Sequence, residues 1–241
     1  MWKMLFDLGD MLFAIVPNKK WRDFLRTNVL FDYKRKLNAL KSACPDLDFK
    51  NMRLSKGGGS LVFIIGNDTF KVRKYNSEVG NFARFEREKR ITDAIRPWCT
   101  IQIPNIEFID KDGITFYKTT YIPGELLINI PTRKIKKHQK QISKQLAEFI
   151  YKKSLAHPVG IEDLRGKVEH DNFSWIHGDM CSNILIDPKT MKITGIIDWE
   201  WAGYNKTEYE FNGLVRVRKK MQKIGLDKTT LSEYNKIVNK K

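Results

Sequence analysis

The chain has 241 residues, 41% hydrophobic and 30% charged, the balance of a soluble protein with a real core in one large domain or two small lobes. Its net charge of +16 predicts attraction to anions (nucleotides, nucleic acid or an anionic membrane face), although a solvated lysine-rich surface accounts for it equally well. The three cysteines, Cys44, Cys99 and Cys181, are far apart and exclude a disulfide framework and a metal-ligand pattern, so a reducing cytoplasm is the expected home.

In chain order, residues 1–15 carry an apolar side (Trp2, Leu5, Phe6, Leu12, Phe13) that predicts a short helix ended by Pro17-Asn18. Asp7 and Asp10 interrupt this stretch, which therefore reads neither as a signal peptide nor as a membrane span. A second helix is predicted from Lys19 to about Ala43, with Trp21, Phe24, Leu25, Val29, Leu30, Tyr33, Leu37 and Leu40 at three- and four-residue steps. Its many lysines and arginines allow two readings: packing as a cap on the next lobe, or lying on an anionic membrane surface.

Three strands follow at Asn51–Leu54, Leu61–Ile65 and Thr69–Arg73. The first turn, Ser55–Ser60, holds Gly57, Gly58 and Gly59, and a glycine-rich turn lets backbone N–H groups approach phosphates. Lys71 sits within an apolar–Lys–apolar strand and, pointing inward, needs a partner. The predicted helix Glu78–Ile95 offers Glu88, with Glu86 as runner-up on another helix face. Two more strands, Ile101–Asp110 and Gly113–Tyr121, turn at Asp110–Gly113 and run into Tyr121-Ile122-Pro123-Gly124. Helices are predicted over 134–156, Tyr209–Ile224 and Thr230–Val238, with an irregular connection at 159–170. His138, His157 and His170 read as surface or capping groups.

The most informative stretch is Trp175–Gly203, WIHGDMCSNILIDPKTMKITGIIDWEWAG. Two apolar runs, Ile184–Ile186 and Ile193–Ile197, flank the turn formers Asp187-Pro188-Lys189-Thr190 and predict a β-hairpin. That hairpin sets Asn183 roughly opposite Ile196, with Asp198 about 7 Å further along. An amide oxygen and a carboxylate so placed can share one Mg²⁺. Asp179, on the preceding glycine-containing loop, can accept a proton from a hydroxyl. A base, an amide and an acid around a metal are the parts of phosphoryl transfer.

These residues resemble the catalytic segment of the aminoglycoside phosphotransferase and choline kinase family, H-G-D-x-x-x-x-N followed by a strand pair ending in I-D-[WF]-E/G. Within it, the chain looks like a small bacterial-type sugar or lipopolysaccharide kinase. Only Met180, Cys181 and Ser182 separate Asp179 from Asn183, one residue fewer than the pattern, so the loop is tighter here. The resemblance implies a two-lobed, protein-kinase-like α+β fold. Its N-terminal antiparallel sheet would carry one helix and precede a mainly helical C-terminal lobe. The extra N-terminal helices would span 1–48, the nucleotide-binding lobe 49–122 and the catalytic lobe 123–241.

By the same resemblance, Asp179 is the base, Asn183 and Asp198 hold Mg²⁺, and His177 shapes the loop. Lys71, oriented by Glu88, holds the phosphates of ATP beneath Gly57, Gly58, Gly59 and Ser60, and the backbone of Thr120, Tyr121 and Ile122 meets the adenine. The implied activity is transfer of the ATP γ-phosphate to a hydroxyl of a small molecule, such as a sugar or a cell-surface glycan or lipid precursor. The expected location is the cytoplasm, with peripheral contact at the inner membrane face. A small atypical protein kinase is a competing reading. A pseudokinase or basic binding module, motivated by the shortened loop, is another.

Overall fold

The computed structural model describes residues 18, 21, 27, 31–56, 59–74, 79–156, 173–215 and 219–240. The predicted helix over 1–15, most of the stretch from Lys19 to Phe31, Gly57 and Gly58, and the connection 159–170 lie outside the described residues. The chain divides into two compact units, Met1–Phe85 with Ile106–Tyr121, and Glu86–Asn105 with Ile122–Lys241.

In the first unit, helix α1 (Tyr33–Ala43) precedes strands β1 (Arg53–Lys56), β2 (Ser60–Ile65) and β3 (Asp68–Arg73), and strands β4 (Glu107–Lys111) and β5 (Ile114–Thr120) follow. They form one antiparallel sheet in the order β1-β2-β3-β5-β4. Alternation makes this sheet two-faced. Leu61, Phe63, Ile65, Phe70, Val72 and Phe116 point to one side and pack with Ala39 and Leu40 of α1. Lys71 and its cross-strand partner Tyr117 point to the other, where Phe85, Ile106 and Tyr117 cluster.

Three sequence expectations shift here. The helix predicted from Lys19 is interrupted, because Asp32 adopts φ 49° and α1 starts only at Tyr33. Asparagine and aspartate tolerate that left-handed geometry better than most residues. Phe49–Asn51 form a 3₁₀ turn, so β1 begins at Arg53 instead of Asn51. The strand predicted from Ile101 begins at Glu107, since Pro104 cannot donate to a ladder. Within α1, Lys36 is buried, with Nζ donating to Phe31 O and Lys74 O at 2.6 Å each. Burial pulls its pKa down to about 8.

The boundary between the units falls inside helix α2 (Val79–Ile95). The second unit adds strand β6 (Glu125–Leu126), helices α3 (Thr132–Lys137) and α4 (Gln139–Ser154), and strands β7 (Phe173–Ile176), β8 (Ile184–Ile186), β9 (Ile193–Ile196) and β10 (Gly203–Lys206). Helices α5 (Glu208–Gly213), α6 (Lys219–Ile224) and α7 (Leu226–Val238) complete it. The helix predicted over 134–156 breaks at His138, whose φ of −109° is not helical. The one predicted from Tyr209 divides into α5 and α6. The core gathers Leu146, Phe149 and Ile150 of α4 with Trp175, Ile184, Ile196, Trp199 and Leu226. Among the described residues, no helix is long and apolar enough to cross a membrane.

Candidate active site

Strand pairing explains why the two ends of the segment 175–203 meet. β7 and β10 are antiparallel, with Ile176 opposite Gly203, so the turn after β7 and the loop before β10 share one end of that ribbon. Between them, β8 and β9 form the expected hairpin, and β6 lines its edge. Its register differs by one residue from the expectation. Ile184, not Asn183, lies opposite Ile196, because the ladder is irregular between Leu185 and Ile186. Asn183 O instead accepts from Ile197 N at 3.0 Å.

His177 ties this end together. It is fully buried, and its Nε2 lies 2.9 Å from Ile197 O. Asp179 N donates to its Nδ1 at 3.3 Å. One ring nitrogen must then donate and the other accept, which defines a neutral imidazole with the proton on Nε2. The same ring therefore fixes the backbone of Asp179 and of the residue before Asp198. Its centroid lies 4.5 Å from that of Trp199.

Burial pushes the His177 pKa down, against the opposing pull of Glu210, the Ile197 carbonyl and Asp198. The unfolded chain takes up a proton near pH 6.5 that the folded ring resists. The stabilisation from the neutral ring is thus complete above that pH and is lost as pH falls through the lower folded value. Urea midpoints of the wild type should drop between pH 7.5 and 5.5, and the slope should flatten in His177→Asn. A variant with the wild-type slope would assign that titration elsewhere.

The loop itself is short. Met180–Ser182 make a single 3₁₀ turn. Asn183 closes it, its N donating to Met180 O at 3.0 Å and its Nδ2 to Asp179 O at 2.8 Å. With the amide nitrogen committed, Oδ1 is the side-chain atom that could ligate a cation. Cys181 is buried beneath the loop. Asp198 has φ 63°, the left-handed region that aspartate, like asparagine, tolerates better than most residues with a side chain. Asp179, Asn183 and Asp198 are all half-buried. Carboxylate and amide oxygens are the hard donors that suit a divalent cation such as Mg²⁺.

Gly178 has φ 82°, and a Cβ there would run into the carbonyl oxygen of Trp201. Because the obstacle is backbone, Gly178→Ala should cost about 2–4 kcal/mol and distort the turn carrying Asp179. Chemical denaturation would measure it, and a loss below about 0.5 kcal/mol would contradict the close approach.

Residues that sequence reasoning missed lie beneath the loop. Glu210 of α5 accepts from His177 N at 2.8 Å, and its other oxygen lies 2.8 Å from Lys153 Nζ, with both side chains fully buried. Lys153 also donates to Trp175 O. The available signal was Lys153 itself, a lysine at a core step of the Ile142–Leu146–Phe149/Ile150 stripe. Arg87 was missed as well. It reaches Glu200 O and Ala202 O, steadying the backbone after Asp198.

Glu88 is fully buried, and its Oε1 accepts from Trp199 N at 2.8 Å, next to Asp198. The runner-up Glu86 is exposed. Lys71 Nζ stands 5.7 Å from the Phe85 ring centroid and 5.5 Å from that of Tyr117. Ser60 is buried opposite Arg73, and Gly59 O accepts from Lys74 N at 3.1 Å. Thr120 is exposed at the end of β5, and Tyr121 N donates to Asn67 O at 2.7 Å. In the second unit, Ile122 is buried against Gly195 of β9.

Residues 156–223 match a phosphotransferase enzyme family, the aminoglycoside phosphotransferase type. No curated protein matches the sequence. Among solved structures, the GDP complex of wild-type aminoglycoside 2'-phosphotransferase-IIIa aligns with a TM-score of 0.65 at 15% identity, over 84% of this chain and 82% of that one. A streptomycin–ATP ternary complex of APH(2")-IIa gives 0.62 at 14% identity, over 83% and 81%. Aminoglycoside phosphotransferase APH(3'')-Id from Streptomyces rimosus gives 0.62 at 13% identity, over 85% and 92%. At such identities the likeness establishes the fold, a protein-kinase-like α+β fold with an N-terminal antiparallel sheet.

Proposed function

We propose that this chain, whose segment 156–223 is that of a phosphotransferase enzyme family carried on the aminoglycoside phosphotransferase fold, moves the γ-phosphate of ATP to a hydroxyl of a small molecule. The observation that carries the proposal is the double attachment of His177 to Asp179 and to Ile197 beside Asp198. It holds a candidate base and a candidate metal ligand in fixed relation, and fixed relation is most of what phosphoryl transfer asks of a protein.

In this proposal Asp179 orients the acceptor hydroxyl and takes its proton. Asn183 Oδ1 and the Asp198 carboxylate hold Mg²⁺, which when bound neutralises phosphate charge. Glu88 serves by fixing the Trp199 amide, and hence the backbone beside Asp198. Lys71, on its aromatic bed, contacts the nucleotide phosphates, with the backbone of Gly57, Gly58, Gly59 and Ser60 beside them. Main-chain groups of Thr120, Tyr121 and Ile122 meet the base.

The acceptor class is a sugar hydroxyl. Solved relatives hold streptomycin or kanamycin. The test of the whole reading is the purified chain with ATP and Mg²⁺ against aminoglycosides, simple sugars, choline and lipopolysaccharide precursors, with products identified by mass. Phosphorylation of a sugar-bearing acceptor is expected. Transfer to generic protein substrates alone, or no ATP binding by calorimetry, would overturn it.

A further inference from the structure

Helix α1 carries a lysine on its core face. Lys36 is 1% exposed and shares that face with Ala39 and Leu40, the other buried residues of the helix. Its ammonium donates to two backbone carbonyls, Phe31 O and Lys74 O, at 2.6 Å each. Phe31 lies just before α1 and Lys74 just after β3, so one side chain ties the entry of the helix to the end of a distant strand.

Lys74 is held on both sides of its Cα. Its carbonyl accepts from Lys36, and its N–H donates to Gly59 O at 3.1 Å. Gly59 precedes Ser60, the first residue of β2, and Ser60 stands opposite Arg73. The bonds therefore run from the buried ammonium through Lys74 to the residue at which the glycine-rich turn enters β2. Lys71 lies on the same strand as Arg73, on the opposite face of the sheet, with Val62 and Tyr117 as its cross-strand neighbours. The open end of the β2–β3 hairpin thus carries both groups assigned to the nucleotide phosphates, and Lys36 holds that end.

A buried ammonium is a poor source of net stability. Its desolvation offsets much of what its hydrogen bonds contribute, and an apolar side chain of similar volume fills such a space without that cost. The lowered pKa of Lys36, about 8, records the same burial. What an apolar side chain cannot do is bond two carbonyl oxygens. The work left for the ammonium is placement of the backbone at Phe31 and Lys74.

We propose, resting on the nucleotide site of the proposed function, that Lys36 is a positioning residue for phosphate binding: through Lys74 and Gly59 it sets the glycine-rich turn and the end of β3 that carries Lys71. The experiment is calorimetry of ATP and of adenosine, each with Mg²⁺, on the full chain. Adenosine lacks the phosphates, so a loss confined to ATP reports on the phosphate-binding end alone.

Lys36→Met keeps the apolar stem and removes both bonds. It should weaken ATP binding at least about tenfold and leave adenosine within about twofold of wild type. Lys36→Gln, shorter and uncharged, should show the same selective loss and covers the case in which methionine does not fold there. Leu40→Ala, a core truncation on the same helix face, should lower the melting midpoint yet keep the wild-type ratio of ATP to adenosine affinity. ATP affinity within about twofold of wild type in the Lys36 variants, or equal losses for ATP and adenosine, would overturn the positioning role. So would a selective ATP loss in Leu40→Ala, since any loosening of α1 would then produce it. No ATP binding by the wild type would instead overturn the nucleotide reading itself, and the role of Lys36 with it.

Discussion

Asp179→Asn should lower kcat by about 10²–10⁴-fold, the usual cost of removing a positioned general base, while nucleotide affinity stays unchanged. The substitution keeps the shape of the side chain. The backbone contacts of residue 179, its N–H to His177 Nδ1 and its carbonyl to Asn183 Nδ2, need no carboxylate. Fold and loop should therefore persist, and the thermal midpoint should move by no more than about 2 °C. A loss in kcat without a loss in binding marks an interaction made only in the transition state. The measurement is steady-state turnover with an acceptor that supports it, or slow transfer to water. Activity within about threefold of wild type would remove Asp179 from the base role.

The second large effect is on stability. Lys153→Met should cost about 3–5 kcal/mol, because it leaves the fully buried Glu210 carboxylate without its counter-charge. The bond from His177 N to Glu210 would persist but cannot neutralise a buried anion. Lys153→Met/Glu210→Gln should recover most of the loss. A glutamine carbonyl oxygen can still accept from His177 N, and no charge remains to be desolvated. Guanidinium unfolding of the three proteins measures both steps. A loss below about 1 kcal/mol in the single variant, or no recovery in the double, would contradict a buried pair beneath the loop.

The pattern of what could be read from the sequence follows from how each feature is specified. His177, Gly178, Asp179, Asn183 and Asp198 were legible because one contiguous segment carries them, and turn formers at 187–190 announce the hairpin. The sheet of the first unit was legible because Leu61, Phe63 and Ile65 alternate, as do Phe70 and Val72. The hairpin register was not, since the irregularity at Leu185/Ile186 depends on packing, not on a turn residue. The contact of Glu88 with the Trp199 amide and that of Glu210 with His177 N were hidden for a different reason. Each joins a side chain to a backbone group far along the chain, and periodicity within one element says nothing about it. The break at Asp32 was obscured by an apolar pattern that continues across it, while the change lies in a single φ angle.

If the segment from His177 to Trp199 binds nucleotide phosphates through a metal, as we propose, calorimetry of ATP binding with Mg²⁺ and with EDTA will show it. The wild type should bind ATP at least about tenfold more tightly with Mg²⁺, and Asp198→Ala should abolish that difference while circular dichroism remains native. Equal affinity with and without Mg²⁺ in the wild type, or a full Mg²⁺ effect in Asp198→Ala, would rule out a metal-dependent phosphate site on Asp198.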